Sequence, residues 1–153
     1  MTERDAEERV AARAVELFNG GLNCAESVAT AVADALEPGQ RSFPRLASAF
    51  GGGLGRRGEN CGAVVGALLA LSLAKGRAEG EGDEAKARVY GCAEKIVEGF
   101  RAAHGGILCR ELAGVDLATP EGRREFQERN VHYRFCVHYV DDAARRAWQV
   151  VNG

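Results

Sequence analysis

Five cysteines stand in this chain of 153 residues, yet no two of them are spaced Cys-x-x-Cys. That absence excludes a thioredoxin-type pair, the usual zinc-finger spacing and c-type haem attachment, so any cysteine site must be assembled from segments far apart in sequence. Long apolar runs are also missing. The longest, Ala63 to Ala74, is broken by Gly66 and Ser72 and falls short of the roughly 20 residues a membrane helix needs. Neither sign of charge dominates: 20 basic and 22 acidic residues give a net charge of -2, with no footprint for nucleic acid or an anionic membrane. A basic and then apolar leader is lacking too, since the chain opens Met1-Thr2-Glu3-Arg4-Asp5, and this predicts a cytoplasmic protein. Nowhere do apolar and polar residues alternate through a β-branched run, which excludes a sheet. The glycines of Gly51 to Gly58 lack the Gly-Lys-Ser/Thr ending of a phosphate-binding loop.

What is present is helical. Hydrophobic residues make up 46% of the chain and charged residues 27%, enough apolar surface for one core, and the whole of 1–153 reads as a single all-α domain of about five or six helices. Val10, Ala14, Leu17 and Phe18 form one apolar stripe that ends at Gly20-Gly21. Asn23 is placed to cap a second helix, with Glu26 at the capping-box position and Pro38-Gly39 as the stop. A short helix near Pro44 to Phe50 precedes a loop with glycine at 51, 52, 53, 55 and 58. Asn60 offers the next cap, and the segment from Cys61 to Leu71, apolar all round and rich in small residues, is the expected centre of the bundle. A long amphipathic helix follows from Asp83 to His104, Thr119-Pro120-Glu121 reads as a further helix start, and Val137 to Val151 carries the last stripe, anchored by Trp148.

Two of the cysteines directly follow a cap candidate, in Asn23-Cys24 and Asn60-Cys61. In the first turn of a helix, unpaired N–H groups and the positive end of the dipole favour a thiolate, which is both nucleophile and metal ligand; a small apolar packing role is the competing reading. Cys109 follows a glycine turn beside Arg110, and Cys136 lies near Arg134 and His138. Cys92 sits mid-helix between Gly91 and Ala93 with nothing to activate it, and is assigned to packing.

Cys24-Ala25, the stretch from Gly51-Gly52-Gly53 through Glu59-Asn60-Cys61-Gly62-Ala63 to Gly66-Ala67, Cys109-Arg110-Glu111-Leu112 and Cys136 together resemble the C_GCAxxG_C_C family, to which a redox role is ascribed. The central element here reads Cys61-Gly62-Ala63-x-x-Gly66, so the ordered set carries the resemblance better than that hexapeptide does. It implies a helical domain whose four characteristic cysteines are Cys24, Cys61, Cys109 and Cys136, leaving Cys92 outside the pattern.

Three functions fit these residues. In the first, which needs no cofactor, Cys61 is the nucleophilic thiolate of a thiol–disulfide oxidoreductase, Cys24 resolves the mixed disulfide, and Cys109 with Cys136 form a shuttling pair toward a redox partner. Arg56 and Arg57 would then stabilise thiolates or an anionic substrate, although paired loop arginines are commonly just solvated. In the second, Cys24, Cys61, Cys109 and Cys136 ligate zinc or an iron–sulfur cluster. In the third, the chain is a helical adaptor whose small-residue helix pairs with itself in a homodimer. His104, His132 and His138 read as surface residues.

Overall fold

Reciprocal caps start the first two helices of the computed structural model, which describes residues 1–153. Thr2 Oγ1 accepts from the Asp5 N–H at 3.1 Å while the Asp5 carboxylate accepts from the Thr2 N–H at 2.9 Å, opening α1 (Glu3–Asn19). The same exchange between Asn23 and Glu26, at 2.8 and 3.0 Å, opens α2 (Cys24–Leu36). A 3-10 turn (Arg45–Phe50), α3 (Gly51–Leu54), α4 (Gly62–Lys75), α5 (Asp83–His104), α6 (Cys109–Ala113) and α7 (Pro120–Glu128) follow. A π-helical turn (His132–Cys136) then runs into α8 (Val137–Asn152). The all-α expectation holds. Five long helices build the bundle, the short pieces add to them, and the one extended pairing is a lone bridge between Asn60 and Leu108.

Alanine and glycine set the packing distances. Ala25, Ala29, Ala33, Ala63, Ala67, Ala70, Ala143, Ala144 and Ala147 are all fully buried, so the backbones of α2, α4 and α8 come close together. On Gly66 an added Cβ would stand 2.6 Å from the Ala25 carbonyl oxygen, closer than real side chains come. The small face of α4 is therefore already occupied by α2 within the same chain, and the self-pairing that this face suggested in the sequence has no free surface there. Around this close-packed centre, Val28, Val32, Leu71, Ile96, Phe100 and Val140 are removed from solvent, each contributing about 1.5–3 kcal/mol relative to exposure. Trp148 is half-buried against the same core, as its stripe predicted.

Thr119 Oγ1 accepts from the Gly122 N–H at 2.9 Å and Pro120 takes the first helical position, as the sequence signal required. α6, α7 and the π turn close over a smaller cluster of Ala113, Val115 and Val131. This cap sits at the end of the bundle where α2 and α4 begin, and it brings residues 109–136 over Cys24 and Cys61.

Candidate functional site: four cysteines around a left-handed glycine turn

The glycine-rich stretch, expected as an irregular loop, is a turn of left-handed helix. Gly52, Gly53, Leu54, Gly55 and Arg56 hold φ of 67°, 72°, 65°, 67° and 66° in succession, and the Gly55 N–H donates to the Gly51 carbonyl at 3.0 Å. Each side-chain-bearing residue costs about 1–2 kcal/mol in that conformation, so glycine fills three of the five places while Leu54 and Arg56 carry strain. The turn is held by its neighbours. A Cβ on Gly53 would meet the Glu59 nitrogen at 2.6 Å and the Cys109 Cβ at 2.7 Å. The Glu59 N–H donates to Gly53 O at 3.1 Å, the Cys109 N–H to Glu59 O at 2.7 Å and the Cys61 N–H to Ile107 O at 2.6 Å. Residues 51–61 and 107–109 are thereby laced into one unit carrying two of the cysteines.

The two Asn-Cys pairs end up one step out of register. Cys24 is the first residue of α2, after a fully engaged Asn23 cap. Cys61 is itself the cap residue of α4, and Asn60, expected as the cap, instead lies in the bridge to Leu108. Gly62 explains how they approach: a Cβ there would overlap the Cys24 Sγ and stand 2.9 Å from Phe50 O. Cys109 opens α6 and Cys136 closes the π turn. Cys24, Cys109 and Cys136 line a cleft of about 880 Å³, whereas Cys61, 7% exposed, lies behind it. All five cysteines are free thiols, and Cys92 is half-buried against the core on α5, apart from this cleft.

Burial and the charges of neighbouring thiolates act on Cys61, Cys109 and Cys136. Burial, followed by the Cys24 charge, pushes Cys109 up to about 11; burial, then the charges of Cys24 and Cys109, push Cys136 up to about 12. Cys61 is raised further, by burial first and by Cys24 second, with the Ala63 and Val64 N–H groups offsetting only part of it. Cys24 is also raised by burial, but the N–H groups of Gly52, Ala25, Gly62 and Cys24 itself all favour its thiolate. Cys24 is thus the common neighbour of the other three, and the left-handed turn supplies one of its N–H groups. At neutral pH the set rests as thiols, and repulsion lets few of them ionise together.

Several groups at the site gave little or no sign of themselves in sequence. His132 lines the cleft, stacked on Phe18 at a centroid distance of 3.9 Å, with Nε2 3.0 Å from Asn19 Oδ1. Burial lowers its pKa, so the ring is neutral at pH 7. With Nε2 donating to the amide oxygen, Nδ1 is left as a proton acceptor. The one available signal was its spacing, four residues before Cys136. Tyr139 donates to Leu112 O at 3.0 Å, and its pKa is raised by burial and then by Cys136 and Cys61. Arg123 and Arg124 reach the cleft from α7, Arg56 reaches it from the left-handed turn, and Arg57 does not line it. His104 pairs with Asp142 at 3.1 Å and His138 is exposed. No group of three or more His, Cys, Asp or Glu side chains is arranged to hold a metal ion.

A π turn at a cysteine, a strained glycine turn and a cluster of thiols at one cleft define a helical protein built around a cysteine site. The family described as "Putative redox-active protein (C_GCAxxG_C_C)" matches residues 22–150, and the chain belongs to that family. An uncharacterized protein of Archaeoglobus fulgidus is 31% identical over 129 residues, covering 79% of this chain and 85% of the relative. No solved structure matches the chain significantly. No helix is long and apolar enough to cross a membrane.

Proposed function

We propose that this protein carries out thiol–disulfide exchange, with Cys24 meeting the partner disulfide in the cleft and Cys61, buried behind it, closing the internal disulfide. The observation that carries this reading is that Cys24 both opens to the cleft and neighbours every other cysteine of the set, while Cys61 has no face on the cleft. In this reading the two residues take the opposite roles to those expected from the sequence, where Cys61 attacks and Cys24 resolves. Cys24 loses its proton to water in the cleft, its thiolate favoured by the N–H groups of Gly52, Ala25 and Gly62, and attacks one sulfur of the partner disulfide. One partner thiol leaves, Cys61 attacks the Cys24 sulfur of the mixed disulfide, and the second partner thiol leaves. Two electrons and two protons pass from the protein to the partner. Cys109 and Cys136 stand in the same cleft, placed to exchange with Cys24 and return it to the reduced state.

The test is elemental analysis with a thiol count and intact mass on anaerobically purified protein, before and after mild oxidation. Metal-free protein that loses thiols in pairs, with a reversible mass loss of two hydrogens per pair, is the expected result. Zinc or iron held at one site per chain through gel filtration would replace this reading with the metal-centre one.

A further inference from the structure

The same cleft carries a charge pattern that thiol chemistry alone does not require. Arg56, Arg123 and Arg124 line it, and no aspartate or glutamate does. The Arg56 guanidinium makes no ion pair and donates no hydrogen bond within the chain, while its backbone, in the left-handed region, is held by the Arg56 N–H donating to Gly51 O at 3.2 Å. Arg123 donates to Leu117 O at 2.8 Å, a contact that leaves its charge uncompensated. Arg124 is the weakest of the three, because Glu128 lies 3.7 Å away, with both side chains about two-thirds exposed. The first turn of α2 faces the cleft through Asn23 and Cys24, adding partial positive charge from its N–H groups. In a chain of net charge -2, a thiol cleft whose lining holds the unpaired Arg56 and Arg123 and no carboxylate, with Glu128 beside Arg124 and Glu26 on the Asn23 N–H lying outside that lining, is a local reversal of sign.

Resting on the thiol-exchange reading, we propose that the partner disulfide is a small anionic molecule, a disulfide bearing carboxylate or phosphate groups, whose charge is held by Arg56 and Arg123 while its sulfur meets Cys24. The cleft volume of about 880 Å³ is that of a small-molecule site. Phe18, Phe126 and Leu117 form apolar wall for the carbon skeleton. The planar guanidinium fork suits carboxylate and phosphate alike. Chemically, Cys24 and Cys61 are oxidised to a disulfide and the ligand R–S–S–R is reduced to two R–SH, the two thiol protons ending on the departing sulfurs.

The reduced full chain is mixed with three disulfides of one skeleton size: 3,3′-dithiodipropionate, its neutral bis-amide, and cationic cystamine. Each rate is normalised to that disulfide's reaction with dithiothreitol, which removes intrinsic reactivity. At low salt the dianion is expected to react about tenfold faster than the bis-amide, with cystamine slowest, and the preference should shrink by 1 M salt as the Debye length falls to about 3 Å. In Arg56→Gln and Arg123→Gln the ratio of anionic to neutral rates should fall toward one. A merely structural arginine would lower both rates and leave the ratio unchanged. Equal normalised rates for dianion and bis-amide in the unaltered protein, or a ratio untouched by both substitutions, would overturn the substrate class while leaving thiol exchange standing. Failure of all three disulfides, with no paired thiol loss, would overturn both.

Discussion

Asn23-Cys24 and Asn60-Cys61 are the same dipeptide before the same kind of helix, and they differ by one position in how they enter it. At the first, asparagine caps and cysteine becomes the first helical residue at a cleft wall. At the second, asparagine is drawn into a bridge with Leu108, and cysteine takes the cap position in the interior. The residue after each cysteine completes the contrast. Ala25 is an ordinary buried helix residue, whereas Gly62 is the gap into which the Cys24 sulfur fits. A helix start thus does not by itself make a reactive thiol; what packs on it decides whether the sulfur meets solvent, backbone N–H groups or another sulfur.

The contrast breaks most visibly at the residues that follow the cysteines. Gly62→Ala should destabilise the fold by about 3 kcal/mol, because the new Cβ meets Cys24 Sγ on one side and Phe50 O on the other. Ala25→Gly should cost about 1 kcal/mol, the ordinary helix penalty. Urea unfolding midpoints measure both.

Titration sharpens the contrast next. All four clustered thiols have folded pKa values raised above the ordinary 9.0, so the folded state keeps protons that the unfolded chain releases. Their contribution to stability is fully present below about pH 9 and is lost as pH rises toward the folded values near 11 and 12, which thermal unfolding from pH 8 to 11 would show. With Cys109 pushed up to about 11, its thiolate is about a hundredfold scarcer at pH 7 than that of a thiol at 9.0, and because a more basic thiolate is the better nucleophile its alkylation should be slower by about tenfold, read by peptide mass mapping. Stability that stays flat across pH 9 to 11 would mean that the thiols are not packed as described.

The smallest effect separates the two asparagines. Asn23→Ala removes the side-chain arm of the capping box, in which Asn23 Oδ1 accepts from the Glu26 N–H, together with the Asn23 Nδ2 bond to Ser48 O, and should cost about 1 kcal/mol, while Asn60→Ala, which removes no side-chain hydrogen bond, should cost a few tenths.

Much of the bundle could be read from local pattern. The stripe of Val10, Ala14 and Phe18, the Asn23–Glu26 exchange, the Thr119-Pro120 start and the buried Cys61–Leu71 segment all act within a turn or two of helix, and they are found where that pattern put them. The separation of Cys92 from the other four cysteines was legible for the same reason, since nothing around it is more than helix interior. What was not legible depends on contacts across the chain. Asn60 loses its cap role to Leu108, 48 positions on, and the left-handed turn is stabilised by Glu59 and Cys109 rather than by its own glycines alone. His132 looked like a surface residue because its partners, Phe18 and Asn19, lie more than 110 residues earlier.

The order of the two cysteines is the centre of this account, and trapping the mixed disulfide tests it most directly. Cys24→Ser and Cys61→Ser proteins are reduced, mixed with a small aromatic disulfide, quenched with acid and mapped by mass spectrometry. The account predicts that Cys61→Ser accumulates the adduct on Cys24, while Cys24→Ser carries no adduct on Cys61. An adduct on Cys61 in the Cys24→Ser protein, with Cys24 unmodified in the Cys61→Ser protein, would contradict it and restore Cys61 as the attacking thiol.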